Sequence, residues 1–149
     1  MSKMQMQICK SDIRILVVRF TCKDKMNIIL DKISNRYEGE LKNREGHNFP
    51  ATSVIKTDEI YKFVIENKIK YVIAVYNAKS IKHEELHAKF YLDNDYRNKI
   101  QKEWDSMDSK KREYITTFLK KLGYSDKVII DEYQAYRYSE KPNFFGISL

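Results

Sequence analysis

The chain has 149 residues, 42% of them hydrophobic and 13% aromatic, which is enough to bury a core but too short for several domains. We predict a single domain spanning residues 1–149. No apolar run approaches the length that crosses a bilayer, and residues 1–10 lack the layout of a secretion signal, so we predict a cytoplasmic protein without membrane segments. The two cysteines, Cys9 and Cys22, have no CxxC spacing and give little support to a disulfide framework or a cysteine zinc site.

The formal net charge of +7 fits a polyanionic partner, because lysine and arginine side chains neutralise phosphates and release counterions. The lysines are spread along nearly every segment, however, and no stripe of basic residues is interleaved with aromatic ones. The runs at 110–112 and 120–121 are typical of solvated helix faces. Nucleic acid is therefore a weakly supported partner.

Strands and helices alternate in the first half of the chain. Residues 13–20 are a β-branched apolar run typical of a buried strand, and apolar spacing predicts a helix from about residue 23 to 37. Residues 39–50 are polar and contain two glycines and a proline, so they predict a loop, with the further hypothesis that it forms a mobile lid. The remaining elements are a short strand at 52–56, a helix capped by Thr57 and a strong strand at 71–76.

The pattern turns helical from residue 80 to the end. Helices are predicted over residues 80–92, 94–107, from Asp108 to a C-cap glycine at Gly123, and over about 128–138. Neither repeats nor linkers interrupt the chain. These features predict an α+β fold, with a small N-terminal sheet and its helices followed by a helical half.

The first of these later helices carries an HExxH sequence, His83-Glu84-Glu85-Leu86-His87. A spacing of four places the two imidazoles one turn apart on one face, near enough to share a tetrahedral Zn²⁺. Zinc lowers the pKa of a bound water to about 7, and Glu84 lies beside this face as the general base that takes the proton.

The helical wheel supports a buried site. Lys82, Glu85 and Lys89 fall on a narrow arc that faces water, which leaves the two histidines and Glu84 among apolar side chains. Buried polar groups are costly without strong partners, and a metal ion would provide one.

A catalytic zinc site needs a third protein ligand and keeps its fourth position for water. His47 is the remaining histidine and has no ligand spacing to the motif. The HExxHxxGxxH extension is also absent, because Phe90 and Asp93 stand where that class needs glycine and histidine. The third ligand is therefore expected to be a carboxylate.

Glu132 is the preferred third ligand, because it shares a helix face with Ile129, Ala135 and Tyr136 and the small Ala135 lets two helices approach. Asp131 and Glu140 stay open as alternatives. Tyr136, one turn beyond Glu132, is the preferred hydrogen-bond donor to an oxyanion. Weaker candidates for that donor are Tyr91 and Tyr133, and the residues expected to orient the imidazoles are Asn77, Asp93 and Asp131.

His83-Glu84-x-x-His87 followed by Glu132-x-x-Ala135 resembles the gluzincin group of zinc metallopeptidases, and most of all its minimal members similar to the ImmA/IrrE-type peptidases. The resemblance covers mainly residues 71–138, with Leu86 standing where such peptidases often have glycine. It implies a zincin-like fold, a Zn²⁺ cofactor and a peptide or protein substrate. It also implies that the strand at 71–76 lies beside the cleft, where an extended substrate could add to it.

Two other functions fit the same residues. One is a non-catalytic zincin-like binding module that contacts nucleic acid or a partner protein through its basic surface. The other is a purely structural zinc that ties the last helix to the motif helix.

Overall fold

The computed structural model describes residues 4–149 and confirms the α+β class. The strands are β1 (Gln5–Ile8), β2 (Ile15–Arg19), β3 (Gly46–Pro50) and β4 (Tyr71–Val75). They form one sheet in the order β1-β2-β4-β3, in which β2 and β4 are parallel and the outer strands run antiparallel to their neighbours. The helices are α1 (Lys23–Glu38), α2 (Tyr61–Glu66), α3 (Ile81–Leu92), α4 (Asn94–Asp105), α5 (Ser109–Lys121) and α6 (Ile129–Ser139).

The two central strands are covered on both faces. Leu16 and Val72 belong to a core with Leu30 of α1, whereas Ile73 packs with Ala88 of α3 on the opposite face. Side chains alternate between the faces of a strand, so apolar residues in succession require a cover on each side. This packing explains why the runs at 13–20 and 71–76 were recognisable as strands.

The predicted loop at 39–50 is wrong in its second half, because residues 46–50 form β3. His47 and Phe49 are fully buried against the α1 side of the sheet. Gly46 and Asn48 alternate with them and face α3. Glycine, histidine and asparagine carry no strong strand preference, so the alternation was hidden in the sequence.

The predicted strand at 52–56 and the cap at Thr57 are also wrong. A 3-10 turn occupies Ala51–Ser53, and α2 begins later than expected. Asp58 organises this segment, since its Oδ2 accepts a hydrogen bond from the Ile55 N–H at 2.8 Å and pairs with Arg36 at 2.6 Å.

The helical half agrees closely with the sequence prediction. Asp108 caps α5 by accepting hydrogen bonds from two backbone N–H groups of its first turn, and Gly123 follows the helix with a φ of +109°. Across residues 4–149, no helix has both the length and the apolar content that a membrane crossing requires. Cys9 and Cys22 are free thiols.

Two glycines allow the sheet half and the helical half to touch. Ser125 donates its backbone N–H to Glu38 O at 3.0 Å. A Cβ at Gly39 would lie 2.8 Å from Gly123 O, and one at Gly123 would lie 2.6 Å from Glu40 O. Both contacts are with backbone atoms, which cannot move aside cheaply.

Gly123→Ala should therefore destabilise the protein more than Gly146→Ala, a control with a positive φ of +79° but only a side-chain neighbour at 3.4 Å. We expect a loss of about 3 kcal/mol in the free energy of unfolding for Gly123→Ala and about 1 kcal/mol for Gly146→Ala. Urea denaturation measures both. Equal losses would show that the close approach contributes nothing beyond the backbone strain.

Candidate metal centre

Helix α3 lies between the sheet and α6, so its buried sides have two different neighbours. The wheel prediction is confirmed, since Lys82, Glu85 and Lys89 are exposed. Glu84 is 4% exposed and His87 is fully buried. Glu84 and His87 are thus inside the protein, where each of them needs a polar partner.

The two histidines and Glu132 converge on one point. His83 Nε2 lies 3.1 Å from His87 Nε2. Glu132 Oε1 lies 3.3 Å from His87 Nε2 and 3.7 Å from His83 Nε2. Ligand atoms at about 2.0–2.1 Å from a tetrahedral ion are about 3.3–3.4 Å apart, so this triangle has the dimensions of one face of such a site.

Hydrogen bonding satisfies these three atoms only in part. Glu132 Oε1 is buried and accepts no hydrogen bond from residues 4–149. The two facing Nε2 atoms can share only one proton between them, because an acceptor nitrogen carries none. A divalent cation would satisfy all three lone pairs at once, so the residues present fit a metal ion.

The local electrostatics also favour a positive charge at this point. Burial raises the pKa of Glu132, but His87 and His83 outweigh it and bring that pKa to about 2. Burial lowers the pKa of His87, but Asp131 and Glu132 outweigh it and hold that pKa well above its ordinary value. Buried carboxylates therefore make this pocket favourable for a cation, whether a proton or a metal.

Both imidazoles are oriented through their other ring nitrogen. Asp131 Oδ1 lies 2.8 Å from His87 Nδ1, although the contact is too bent for a hydrogen bond. Gln134 holds that carboxylate by donating from Nε2 to Asp131 Oδ1 at 3.0 Å. Ser139 Oγ lies 3.1 Å from His83 Nδ1. Nδ1 of each ring thus faces a polar side chain of α6, and Nε2 is the atom that faces the centre.

Asp131 therefore occupies an orienting position, one of the two roles that the sequence left open for it. Ser139 was missed, although it follows Glu132 by two helical turns and this spacing places both on one face of α6. Glu140 lies at the exposed end of α6, outside the ligand cluster.

The other two residues expected to orient the imidazoles do not do so. Asp93 caps α4 by accepting a hydrogen bond from Tyr96 N at 3.0 Å. Asn77 accepts one from Lys79 N at 2.9 Å. Both are short polar side chains that satisfy a nearby backbone N–H at a helix start, which is their commonest role.

His47 is a structural residue. Its ring nitrogens lie 2.6 Å from Ser34 Oγ and 2.7 Å from Asn27 Oδ1, and both partners are on α1. Burial, followed by the nearby Arg44, lowers the pKa of His47 to about 3, so the ring is neutral. This cluster pins β3 to α1.

Glu84 faces β3 rather than the ligand triangle. Asn48 Nδ2 donates to Glu84 Oε2 at 3.0 Å. Burial raises the pKa of Glu84, and the nearby His83 and His87 oppose the shift. A buried carboxylate with a raised pKa beside a candidate metal site is suited to accept a proton.

A cleft of about 430 Å³ opens onto His83, Glu84 and Glu132. Residues 41–46 form one wall of this cleft. Arg44 ties that wall down, because its guanidinium bonds Asn35 Oδ1 at 2.8 Å and Gly39 O at 2.8 Å. These bonds argue against the mobile lid that composition suggested.

The strand at 71–76 cannot receive an extended substrate, which corrects the expectation drawn from the resemblance. It forms β4, which pairs with β2 on one edge and β3 on the other. The outer strand on the side of the cleft is β3. Its residues 47–50 are buried, and only its first residue, Gly46, is partly exposed at the cleft.

Tyr136 is the tyrosine of the predicted set that lines the cleft. Its ring centroid lies 4.5 Å from that of His83, and its hydroxyl lies 2.8 Å from that of Tyr124. Tyr133 is fully buried and donates to Glu103 at 2.6 Å, and Tyr91 is exposed, with its ring tilted against that of Tyr71. Only Tyr136 therefore keeps the role of candidate donor, with Tyr124 as a partner that the sequence did not indicate.

Comparison with protein-family models, with curated proteins and with solved structures finds no match to this chain.

Asp131→Asn should weaken metal binding, because the amide cannot supply the negative charge that supports His87 from behind. We expect the affinity for Zn²⁺ to fall about 10- to 100-fold, measured by competition with a chelating dye. Asp93→Asn is the matched control, since Asp93 caps α4, and it should leave the affinity unchanged. Equal Zn²⁺ affinities for the parent, Asp131→Asn and Asp93→Asn would show that Asp131 does not support metal binding.

Proposed function

We propose that this protein is a zinc-dependent metallopeptidase that hydrolyses peptide bonds with metal-activated water. The observation that carries this proposal is the triangle of His83 Nε2, His87 Nε2 and Glu132 Oε1, with sides of 3.1, 3.3 and 3.7 Å. Two imidazoles and one carboxylate are the ligand set of many catalytic zinc sites, although other first-row divalent ions can use it. The sequence resemblance to gluzincins supports zinc and peptide hydrolysis.

Each residue has a defined task in this proposal. His83, His87 and Glu132 would hold the ion, which when bound polarises a carbonyl and makes a bound water acidic. Glu84 takes the proton from the attacking water and returns it to the leaving amine. The Tyr136 hydroxyl donates a hydrogen bond to the oxygen that becomes negative during the attack.

The cleft supports a short stretch of peptide as the substrate. Its volume of about 430 Å³ is that of a site for a small ligand or a few residues. Residues 41–46 and two tyrosines, Tyr124 and Tyr136, line this cleft and would contact the bound segment. Because β3 exposes only Gly46 here, substrate recognition would depend on side-chain contacts in the cleft more than on strand addition.

A catalytic site is favoured over a purely structural zinc by the position of Glu84. A structural zinc takes four protein ligands, whereas within residues 4–149 three ligand side chains converge here. Glu84 also opens onto the cleft without joining the ligand cluster. A closed structural site would have no use for such a carboxylate.

A nucleic-acid surface is the remaining alternative and has less support. Arg112 of the basic run at 110–112 donates to Met107 O at 2.6 Å, and Lys120 pairs with Asp126 at 2.6 Å. Salt-sensitive binding of nucleic acid that survives His83→Ala would favour this alternative.

Glu84→Gln tests the catalytic proposal, because glutamine keeps the shape of the side chain but cannot accept the proton. We expect the variant to bind zinc at one ion per chain and to cleave a peptide library at least about 100-fold more slowly, as followed by mass spectrometry. Glu85→Gln is the matched control, since Glu85 is exposed on the same helix, and it should cleave like the parent.

Three results would contradict the proposal. A parent protein that takes up no divalent metal has no centre. Cleavage that Glu84→Gln leaves unchanged assigns the chemistry to another group. A metal whose removal unfolds the chain, in a protein without hydrolytic activity, would make the zinc structural.

A further inference from the structure

We propose that Asn48 and Tyr71 are positioning residues that aim the Glu84 carboxylate, through a relay that runs from the sheet to the motif helix. The relay has two hydrogen bonds. The Tyr71 hydroxyl donates to Asn48 Oδ1 at 2.6 Å, and Asn48 Nδ2 donates to Glu84 Oε2 at 3.0 Å. This inference rests on the proposed function, in which Glu84 is the general base.

The chemistry of the three side chains determines which group donates and which accepts in each hydrogen bond. A carboxylate oxygen can only accept, so the side of Asn48 that faces Glu84 has to be its NH₂ group. The opposite side then presents an oxygen, which requires a donor, and the Tyr71 hydroxyl is that donor. If the hydroxyl were removed, Asn48 Oδ1 would lose its donor, and the amide would keep one of the two hydrogen bonds that hold it.

Burial gives these bonds their importance. Tyr71 is fully buried, Asn48 is 3% exposed and Glu84 is 4% exposed. Water therefore cannot easily replace a lost partner, and a buried polar group without one is costly. Packing alone does not require these two hydrogen bonds. Two apolar side chains would fill the same space without the risk of a buried polar group that lacks a partner.

The relay also gives the two carboxylate oxygens of Glu84 different surroundings. Oε2 is held by Asn48, whereas Oε1 accepts no hydrogen bond within residues 4–149. A Cβ at Gly46 would lie 2.9 Å from Oε1, so the strand leaves room there only because this residue is glycine. Oε1 is thus the oxygen left free to accept a proton from a water in the cleft, which Glu84 lines.

The sheet supplies the rigid base for this arrangement. Asn48 pairs in register with Ile73 of β4, and Tyr71 belongs to the same central strand. The neighbouring His47 is bonded to α1 on the opposite face. A side chain between two such anchors is held more firmly than one on a loop.

Tyr71→Phe tests the relay because it deletes one oxygen and keeps the ring. Tyr133→Phe is the matched control, since Tyr133 is also fully buried and its hydroxyl also donates to a side-chain oxygen, that of Glu103. Asn48→Ala removes the middle of the relay. Thermal unfolding of each variant first establishes that it is folded.

Binding of acetohydroxamate to the Co²⁺-loaded protein is the functional readout, followed by the visible absorption of the cobalt. A hydroxamic acid binds a metal as its anion, so its proton needs a correctly placed acceptor beside the ion. We expect Asn48→Ala, which removes a hydrogen bond to a charged group, to weaken acetohydroxamate binding about tenfold. Tyr71→Phe removes a hydrogen bond between neutral groups and should weaken it about fivefold. Co²⁺ affinity should stay at the parent value, and Tyr133→Phe should match the parent in both.

The side-chain amide of Asn48 gives a second readout that needs no metal. In ¹⁵N-labelled protein its two N–H signals should shift in Tyr71→Phe and in Glu84→Gln, and stay in place in Tyr133→Phe.

The outcomes separate the two proposals. Consider first a parent protein that binds Co²⁺ and a Glu84→Gln variant that loses acetohydroxamate affinity. If Tyr71→Phe and Asn48→Ala then keep the affinity of the parent, the positioning role is overturned and the proposed function stands. If the parent binds no Co²⁺, the proposed function fails and takes the positioning role with it, even where the amide signals shift as expected.

Discussion

The whole site depends on one constraint, which is that helix α3 buries ionisable side chains on two sides at once. His87 is fully buried beside α6, and Glu84 is buried beside β3. Neither could be stable in an apolar interior without partners. The partners come from different parts of the chain, so the sheet and α6 have to be placed correctly around the same helix.

The buried carboxylates around α3 are stabilised by different partners. Asp131 and Glu132 lie against His87, Glu84 accepts a hydrogen bond from Asn48, and Glu38 accepts one from Arg44 at 3.3 Å. Burial raises the pKa of Glu38 well above its ordinary value, with Glu132 adding to the shift. With so much negative charge in one region, a cation bound at the ligand triangle would stabilise the fold.

Sequence patterns correctly predicted the strands and helices that are specified by their own residues. The apolar runs at 13–20 and 71–76 became β2 and β4, and the capping residue Asp108 began α5 as expected. The strand β3 was missed because its pairing depends on β4 and its inward His47 is satisfied by α1. A strand that is stabilised mainly by its neighbours leaves a weak trace in its own composition.

The sequence by itself determined that His83, Glu84 and His87 share one helix and that this helix turns its lysines to water, because both facts follow from a period of 3.6 residues. It also singled out Glu132, but only as one of three carboxylates. Tertiary structure alone decided that Glu132 meets the imidazoles while Asp131 supports one of them from behind, since this choice depends on how α6 crosses α3. The contact of Asn48 with Glu84 was likewise decided by folding, because it joins residues 36 positions apart through the register of a sheet.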